Sequence, residues 1–153
     1  MNTISIEIQE RVKMVLQAFI NFNGNCREAV EFYAKTFGVE KQQMMTFGDM
    51  PNPDFPMDDD VKKRIVYTFL NIDGHNLMFS DTMPGMPFVA GNNISLTYGS
   101  TDKKRIEKLF NDLKAGGKVE MELQKTFWSE SYGMVTDKFG IQWQLSLDDG
   151  KMQ

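Results

Sequence analysis

The sequence has one cysteine and one histidine in 153 residues, and no apolar run near 18 residues. The single Cys26 excludes an intrachain disulfide, and the missing run excludes a predicted membrane-spanning helix. No Ser-His-Asp order can be built from one histidine at a turn, His75, and no Walker or Rossmann glycine pattern occurs. Basic residues are in the minority, 17 Lys and Arg against 21 Asp and Glu, for a net charge of -4. Phosphate binding needs a dense cationic footprint, so a nucleic-acid partner is not expected. There is no basic-then-apolar leader, and the expected location is the cytoplasm.

What remains describes an ordinary globular protein: 41% hydrophobic and 25% charged residues, with a mean hydropathy of -0.39. A chain of this length buries roughly 70% of its unfolded surface, enough for one compact domain or two small fused modules. The composition is rich in Met and Phe, 12 of each. Methionine fills irregular gaps and adapts to varied apolar ligands. A soft core accounts for many of these residues, whereas Met44, Met45, Met50, Met57, Met83 and Met86 fall in or beside predicted loops.

Two stretches superimpose with a shift of 76 residues. In the first, Ala18, Ile20 and Phe22 alternate, and Val30, Tyr33, Ala34 and Phe37 follow at helical spacing. In the second, Ile94, Leu96 and Tyr98 alternate, followed by Ile106, Leu109, Phe110 and Leu113. Extended segments come after each helix: Lys41 to Phe47, Ile65 to Ile72 and His75 to Ser80, then Lys118 to Leu123, Glu130 to Thr136 and Gln142 to Leu147. Asp73-Gly74 marks a hairpin. A shift of 66 residues lays Gly74, Leu77 and Phe79 on Gly140, Trp143 and Leu145. The expectation is an α+β protein of tandem βαβββ modules.

One helix covers one face of each four-stranded sheet, so two modules side by side would form a curved, cup-shaped mixed sheet with helices on the outer face. Alternation places Ile20, Phe22, Ile94 and Leu96 on the helices and turns Gln17, Phe19, Asn21, Asn93, Ser95 and Thr97 into the cup. Asn76, Met78, Ser80, Gln142, Gln144 and Ser146 face it from the closing strands. The predicted organisation is an extension at 1–16, a first module at 17–80, a linker at 81–92 and a second module at 93–153. The acidic stretch "GDMPNPDFPMDDDVKK" reads as a lid or as a mobile solvent loop.

Three local features bear on chemistry. Asn25 with Glu28 three residues on makes a capping box, so "NFNGNCREAVEFYAKTFG" is expected to cap its own helix. Cys26 sits in the first helical turn, where the dipole lowers a thiol pKa, but a structural role is the expectation because no histidine lies nearby in sequence. In "TFWSESYGMVTD", Trp128 and Tyr132 either clamp a planar ligand that Glu130 orients or pack as an aromatic corner between subunits.

The segments "FNGNCREAVEFYAKTFG", "MPGMPFVAGNNISL" and "FWSESYGMVTDKFGIQWQLS" resemble the PhnB-like branch of the vicinal oxygen chelate superfamily, the glyoxalase, bleomycin-resistance and dioxygenase fold. The resemblance covers Leu16 to Leu147 and implies a homodimer. It also implies that a divalent metal, where one binds, is held by one residue on the first and one on the closing strand of each module. Here those positions are Gln17, Met78, Asn93 and Gln144. Carboxamides and a thioether are poor donors for a catalytic Zn, Ni or Fe ion. Some relatives carry a demethylubiquinone methyltransferase label, but this sequence has no glycine-rich loop for adenosylmethionine.

The expected function is therefore binding of a small, partly apolar molecule in the cup, with no cofactor, no catalytic residue and no membrane or nucleic-acid partner. Phe19, Met78, Trp128 and Tyr132 supply apolar area, while Gln17, Asn21, Asn93 and Gln144 fix orientation. The alternatives are a divalent-metal-dependent lyase, isomerase or dioxygenase, and a structural dimer whose cup is vestigial.

Overall fold

Strand β1 (Phe19–Phe22) turns at residues 23–25 into helix α1 (Cys26–Phe37), which ends where Gly38 adopts a left-handed conformation, φ 66°. The computed structural model describes residues 15–150, so most of the predicted extension lies outside the described residues. β2 (Met45–Thr46), α2 (Asp59–Lys63), β3 (Ile65–Ile72) and β4 (His75–Asp81) complete the first half. The second half contains β5 (Ser95–Ser100), α3 (Lys103–Lys114), β6 (Lys118–Gln124), β7 (Tyr132–Thr136) and β8 (Gln142–Leu147). The strand orders are β1-β4-β3-β2 and β5-β8-β7-β6. In each sheet the first strand pairs parallel with the last and the other pairs are antiparallel. This is the expected α+β class, two mixed four-stranded sheets with one principal helix each.

Helical spacing becomes burial as the sequence requires. Val30, Tyr33 and Phe37 on α1 and Ile106, Leu109, Phe110 and Leu113 on α3 are all buried. Each such aliphatic side chain contributes roughly 1.5–3 kcal/mol. The two halves share one core: the Tyr33 ring centroid lies 5.8 Å from that of Phe79 and 5.7 Å from that of Trp143, and Phe37 lies 5.3 Å from Trp143. Polar contacts between the halves run from Tyr33 to Asp137, from Arg105 to the Phe37 carbonyl, from Lys108 to the Thr36 carbonyl and from Tyr98 to Asp73. They engage helices, hairpin tips and the helix-facing Tyr98. Among the described residues, no hydrogen bond or ring contact joins the open face of one sheet to that of the other.

The differences from expectation have local causes. The segment 41–47 yields only the two-residue β2, because Thr46 donates both its backbone N–H and its hydroxyl to Asp49 Oδ2, each at 2.9 Å, and draws the chain into a 3₁₀ turn at Phe47–Asp49. The acidic loop contains α2, capped by Asp58, whose side chain accepts from the Val61 N–H at 2.9 Å. Ile94 does not pack on the helix; it precedes β5 and is 76% exposed.

Helix α1 is not capped by its own sequence. Asn25 makes no side-chain cap bond. Instead Asp81, at the end of β4 and buried, accepts from the Gly24 N–H at 2.8 Å and the Cys26 N–H at 3.0 Å through Oδ1, and from the Ile65 N–H at 2.9 Å through Oδ2. That carboxylate also bears on Cys26, which is fully buried. Burial first, then the Asp81 charge, push the thiol from 9.0 up to about 12.

The thiol is therefore protonated and inert, and alkylation by iodoacetamide at pH 8 is expected only after unfolding. Because the folded pKa is raised, the unfolded chain releases this proton first. The contribution is present below pH 9 and is lost between pH 9 and about 12, at roughly 1.4 kcal/mol per pH unit. Prompt labelling of native protein would refute this.

Candidate functional site

Alternation along β1, β3 and β4 leaves one sheet face without a helix. On it Phe19 pairs in register with Met78, which pairs with Phe69 on the other side. Tyr67 completes an aromatic strip, its ring 6.1 Å from Phe19 and 6.3 Å from Phe69. Phe19 is 45% exposed and Tyr67 38%. Neutral hydrogen-bonding groups border the strip: Ser80 Oγ donates to Asn21 Oδ1 at 2.7 Å, and Asn71 Nδ2 donates to Asn76 Oδ1 at 2.9 Å. The surface offers π-faces, a thioether and amides, and its named groups carry no formal charge.

The open face of the second sheet has a different chemistry. Tyr132 Oη donates to Gln144 Oε1 at 2.7 Å, and Gln144 Nε2 donates to Ser95 Oγ at 2.7 Å. Burial pushes the Tyr132 hydroxyl pKa upward, so its proton stays in place. Trp128 stands edge-on to Tyr132, ring centroids 5.3 Å apart, and is itself 46% exposed. Its turn is fixed by buried Ser129, whose Oγ lies 2.9 Å from the carbonyl oxygens of both Ser131 and Leu147. Glu130 pairs with Lys125 at 3.4 Å, both side chains well exposed.

The structure thus gathers Phe19, Asn21 and Met78 on one sheet and Trp128, Tyr132 and Gln144 on the other. Gln17 precedes β1 and is exposed. Asn93 is exposed in the bend before β5. The strand ladders explain its position: Phe19 pairs with Met78 and Thr97 with Gln144, so the first strands correspond at a shift of 78 residues, two more than the buried helix positions. The turn into the helix is one residue shorter in the second half, 101–102 against 23–25, and the matched buried position comes one residue sooner, Ile106 in α3 against Val30 in α1, so counting back from the helix overshoots the strand by two. The ladder counterpart of Gln17 is Ser95, a residue that alternation alone had placed only on the correct face.

The four positions implied for a divalent metal do not fit one. The Gln144 carboxamide is engaged at both ends, Asn93 stands outside β5, and Met78 offers a thioether. Among the described residues, no group of three or more His, Cys, Asp or Glu side chains is placed to hold a metal ion.

A groove of about 940 Å³ opens elsewhere, between residues 15–18, the β3–β4 hairpin and β5. Asn71, Asp73, His75 and Asn76 line it above a floor that includes Phe37 and Trp143. Of the predicted ligand-contacting residues only Gln17 touches it. His75 is exposed at the first position of β4, as its turn context predicts.

Comparison with known proteins places these features in context. The family described as 3-demethylubiquinone-9 3-methyltransferase matches residues 14–146. Protein YjdN of Escherichia coli K12 is 33% identical over 147 residues, covering 88% of this chain and 95% of that protein. The crystal structure of protein PA1353 from Pseudomonas aeruginosa is similar at 37% identity and a TM-score of 0.74, over 86% of this chain and 97% of that one. The PhnB protein from Bacillus cereus has the same fold, at 23% identity and a TM-score of 0.72, over 88% of this chain and 100% of that one.

Proposed function

Because the chain belongs to the 3-demethylubiquinone-9 3-methyltransferase family, the PhnB-like branch of the vicinal oxygen chelate superfamily, we propose that it binds a small, uncharged, partly apolar molecule on the open sheet faces. The observation that carries this reading is the Tyr132–Gln144–Ser95 chain beside the half-exposed Trp128 ring. Such an arrangement orients a ligand by neutral hydrogen bonds and holds it by aromatic area. Phe19, Asn21, Met78 and Gln17 add contacts from the first sheet. The proposal calls for no resident cofactor.

Methyl transfer finds no support in the fold. Adenosylmethionine sites of the doubly wound kind use a parallel sheet and a glycine-rich first turn, whereas three of the four strands in each sheet here run as antiparallel neighbours. We further propose a homodimer in which a second copy covers Tyr67 and Phe127, exposed in a single chain, and closes over the open faces that hold the ligand. No helix among the described residues is long and apolar enough to cross a membrane. A cytoplasmic location is part of the proposal and rests on the use of a single cysteine.

The test is elemental analysis of protein prepared without chelator or affinity-tag metal, with thermal shifts against Zn, Ni, Mn, Fe(II) and a library of neutral aromatic compounds. The expected result is substoichiometric metal, no stabilisation by metals, and stabilisation by library members that is lost in Gln144→Ala. Near-stoichiometric metal that disappears in Gln144→Ala would make the metal-dependent lyase, isomerase or dioxygenase the correct reading.

A further inference from the structure

The chain from Tyr132 to Ser95 has a direction. Tyr132 Oη gives its one proton to Gln144 Oε1, so the carboxamide nitrogen points the other way and donates to Ser95 Oγ. Ser95 accepts that bond, and its own proton must then point outward. Among the described residues Ser95 Oγ donates to no protein acceptor, and the side chain is half-buried on the open face at the first position of β5.

Rotating the Gln144 amide by half a turn would reverse the chain and leave the unused proton on Tyr132. Tyr132 is only 8% exposed, and an unpaired donor there costs about 1–3 kcal/mol. The observed direction puts the free proton at the more accessible end, where a ligand can take it.

We propose that Ser95 is a specificity-determining residue, presenting a directed hydroxyl donor that selects ligands with a hydrogen-bond acceptor, such as a carbonyl or ether oxygen, over isosteres without one. This rests on the reading of the open face as a ligand site. Tyr132, at the other end of the chain across Gln144, and Trp128, edge-on to Tyr132, supply the aromatic wall, and Thr97, the register partner of Gln144, lies exposed on β5 two residues beyond the donor. The ligand class is therefore a neutral planar molecule with an acceptor at its rim. A site that offers a donor discriminates against the analogue lacking the acceptor, because the donor is then left unpaired.

The experiment uses two matched probes, 2-acetylnaphthalene and 2-isopropenylnaphthalene, which differ in a carbonyl oxygen against a methylene group. Both are titrated into the full chain and followed by tryptophan fluorescence. The wild type is expected to bind the ketone about tenfold more tightly, the equivalent of about 1.4 kcal/mol. Ser95→Ala is expected to bring the ratio to about one while affinity for the hydrocarbon changes less than twofold. Tyr132→Phe frees the carboxamide to rotate and is expected to lower the preference about threefold. Saturable binding of both probes with no preference, or with one that survives Ser95→Ala, would overturn the role of Ser95 and leave the binding reading standing. Absence of saturable binding of either probe would overturn both.

Discussion

Replacing Asp137 with alanine is expected to lower stability by about 4 kcal/mol and the melting temperature by about 10 °C. Asp137 is 3% exposed. Its Oδ2 accepts from Tyr33 Oη at 2.5 Å and from Trp143 Nε1 at 2.9 Å, and its Oδ1 from the Phe139 and Ile141 N–H groups at 2.8 and 3.1 Å. Among the described residues four donors thus converge on this carboxylate and no cation pairs with it, and truncation strands two buried side-chain donors and leaves two half-buried N–H groups without their acceptor. Tyr33 belongs to α1 and Trp143 to β8, so the same group ties the halves together. Burial and the neighbouring carboxylate both drive the Tyr33 pKa upward, keeping its donor proton at any ordinary pH. Tyr33→Phe removes one donor and leaves three, and should cost about 1 kcal/mol. Urea unfolding of the three proteins decides the matter: a loss under about 1 kcal/mol in Asp137→Ala would mean that the halves cohere by their apolar surfaces alone.

Asp81→Ala is the second large effect, expected at about 3 kcal/mol, with Asn25→Ala under 0.5 kcal/mol. The ordering is informative because a self-capped helix predicts the reverse. Asp81 neutralises N–H groups of the β1–α1 turn and the first residue of β3 together. Its negative charge also lies at the positive end of the α1 dipole, which suits it. Asp81→Asn keeps an acceptor for two of the three donors but turns an NH2 group toward one, and an intermediate loss of about 2 kcal/mol is expected. Equal stability of Asp81→Ala and wild type in denaturant titration would return the cap to Asn25.

The helices and the paired strands β3, β4 and β8 were legible because burial of one face imposes a period of 3.6 or 2 on the sequence. Ile65–Ile72 and Gln142–Leu147 emerge at the predicted bounds for that reason. The cap of α1 was not legible, since Asp81 lies 55 residues from Cys26 and no local pattern signals a partner so distant. The Thr46–Asp49 pair was not legible, because Met44, Met45 and Phe47 read as an extended run and Asp49 fell in the acidic loop beyond it. In the candidate site, alternation identified the face on which Phe19, Met78 and Gln144 lie. It did not identify Ser95 as the bonded partner of Gln144, because ladder register depends on turn length and on pairing that only the folded chain fixes. Nor does alternation say whether two open faces meet within one chain, which is a property of how the halves dock.

The two-residue difference between helix and ladder correspondence has a consequence for how such a duplicated protein can diverge. Sliding a strand by one residue would turn every side chain to the opposite face and expel the core. Sliding by two, about 6.6 Å along the strand, keeps each residue on its face and replaces only its neighbours across the ladder. The interior keeps its apolar composition through such a step but must repack, because each core-facing side chain also meets new neighbours. The outward surface is changed by it: where one copy sets Phe19 against Met78, the other sets Thr97 against Gln144. Twin halves thereby carry unlike open faces, one lined by aromatic rings and a thioether, the other by a hydrogen-bonded carboxamide.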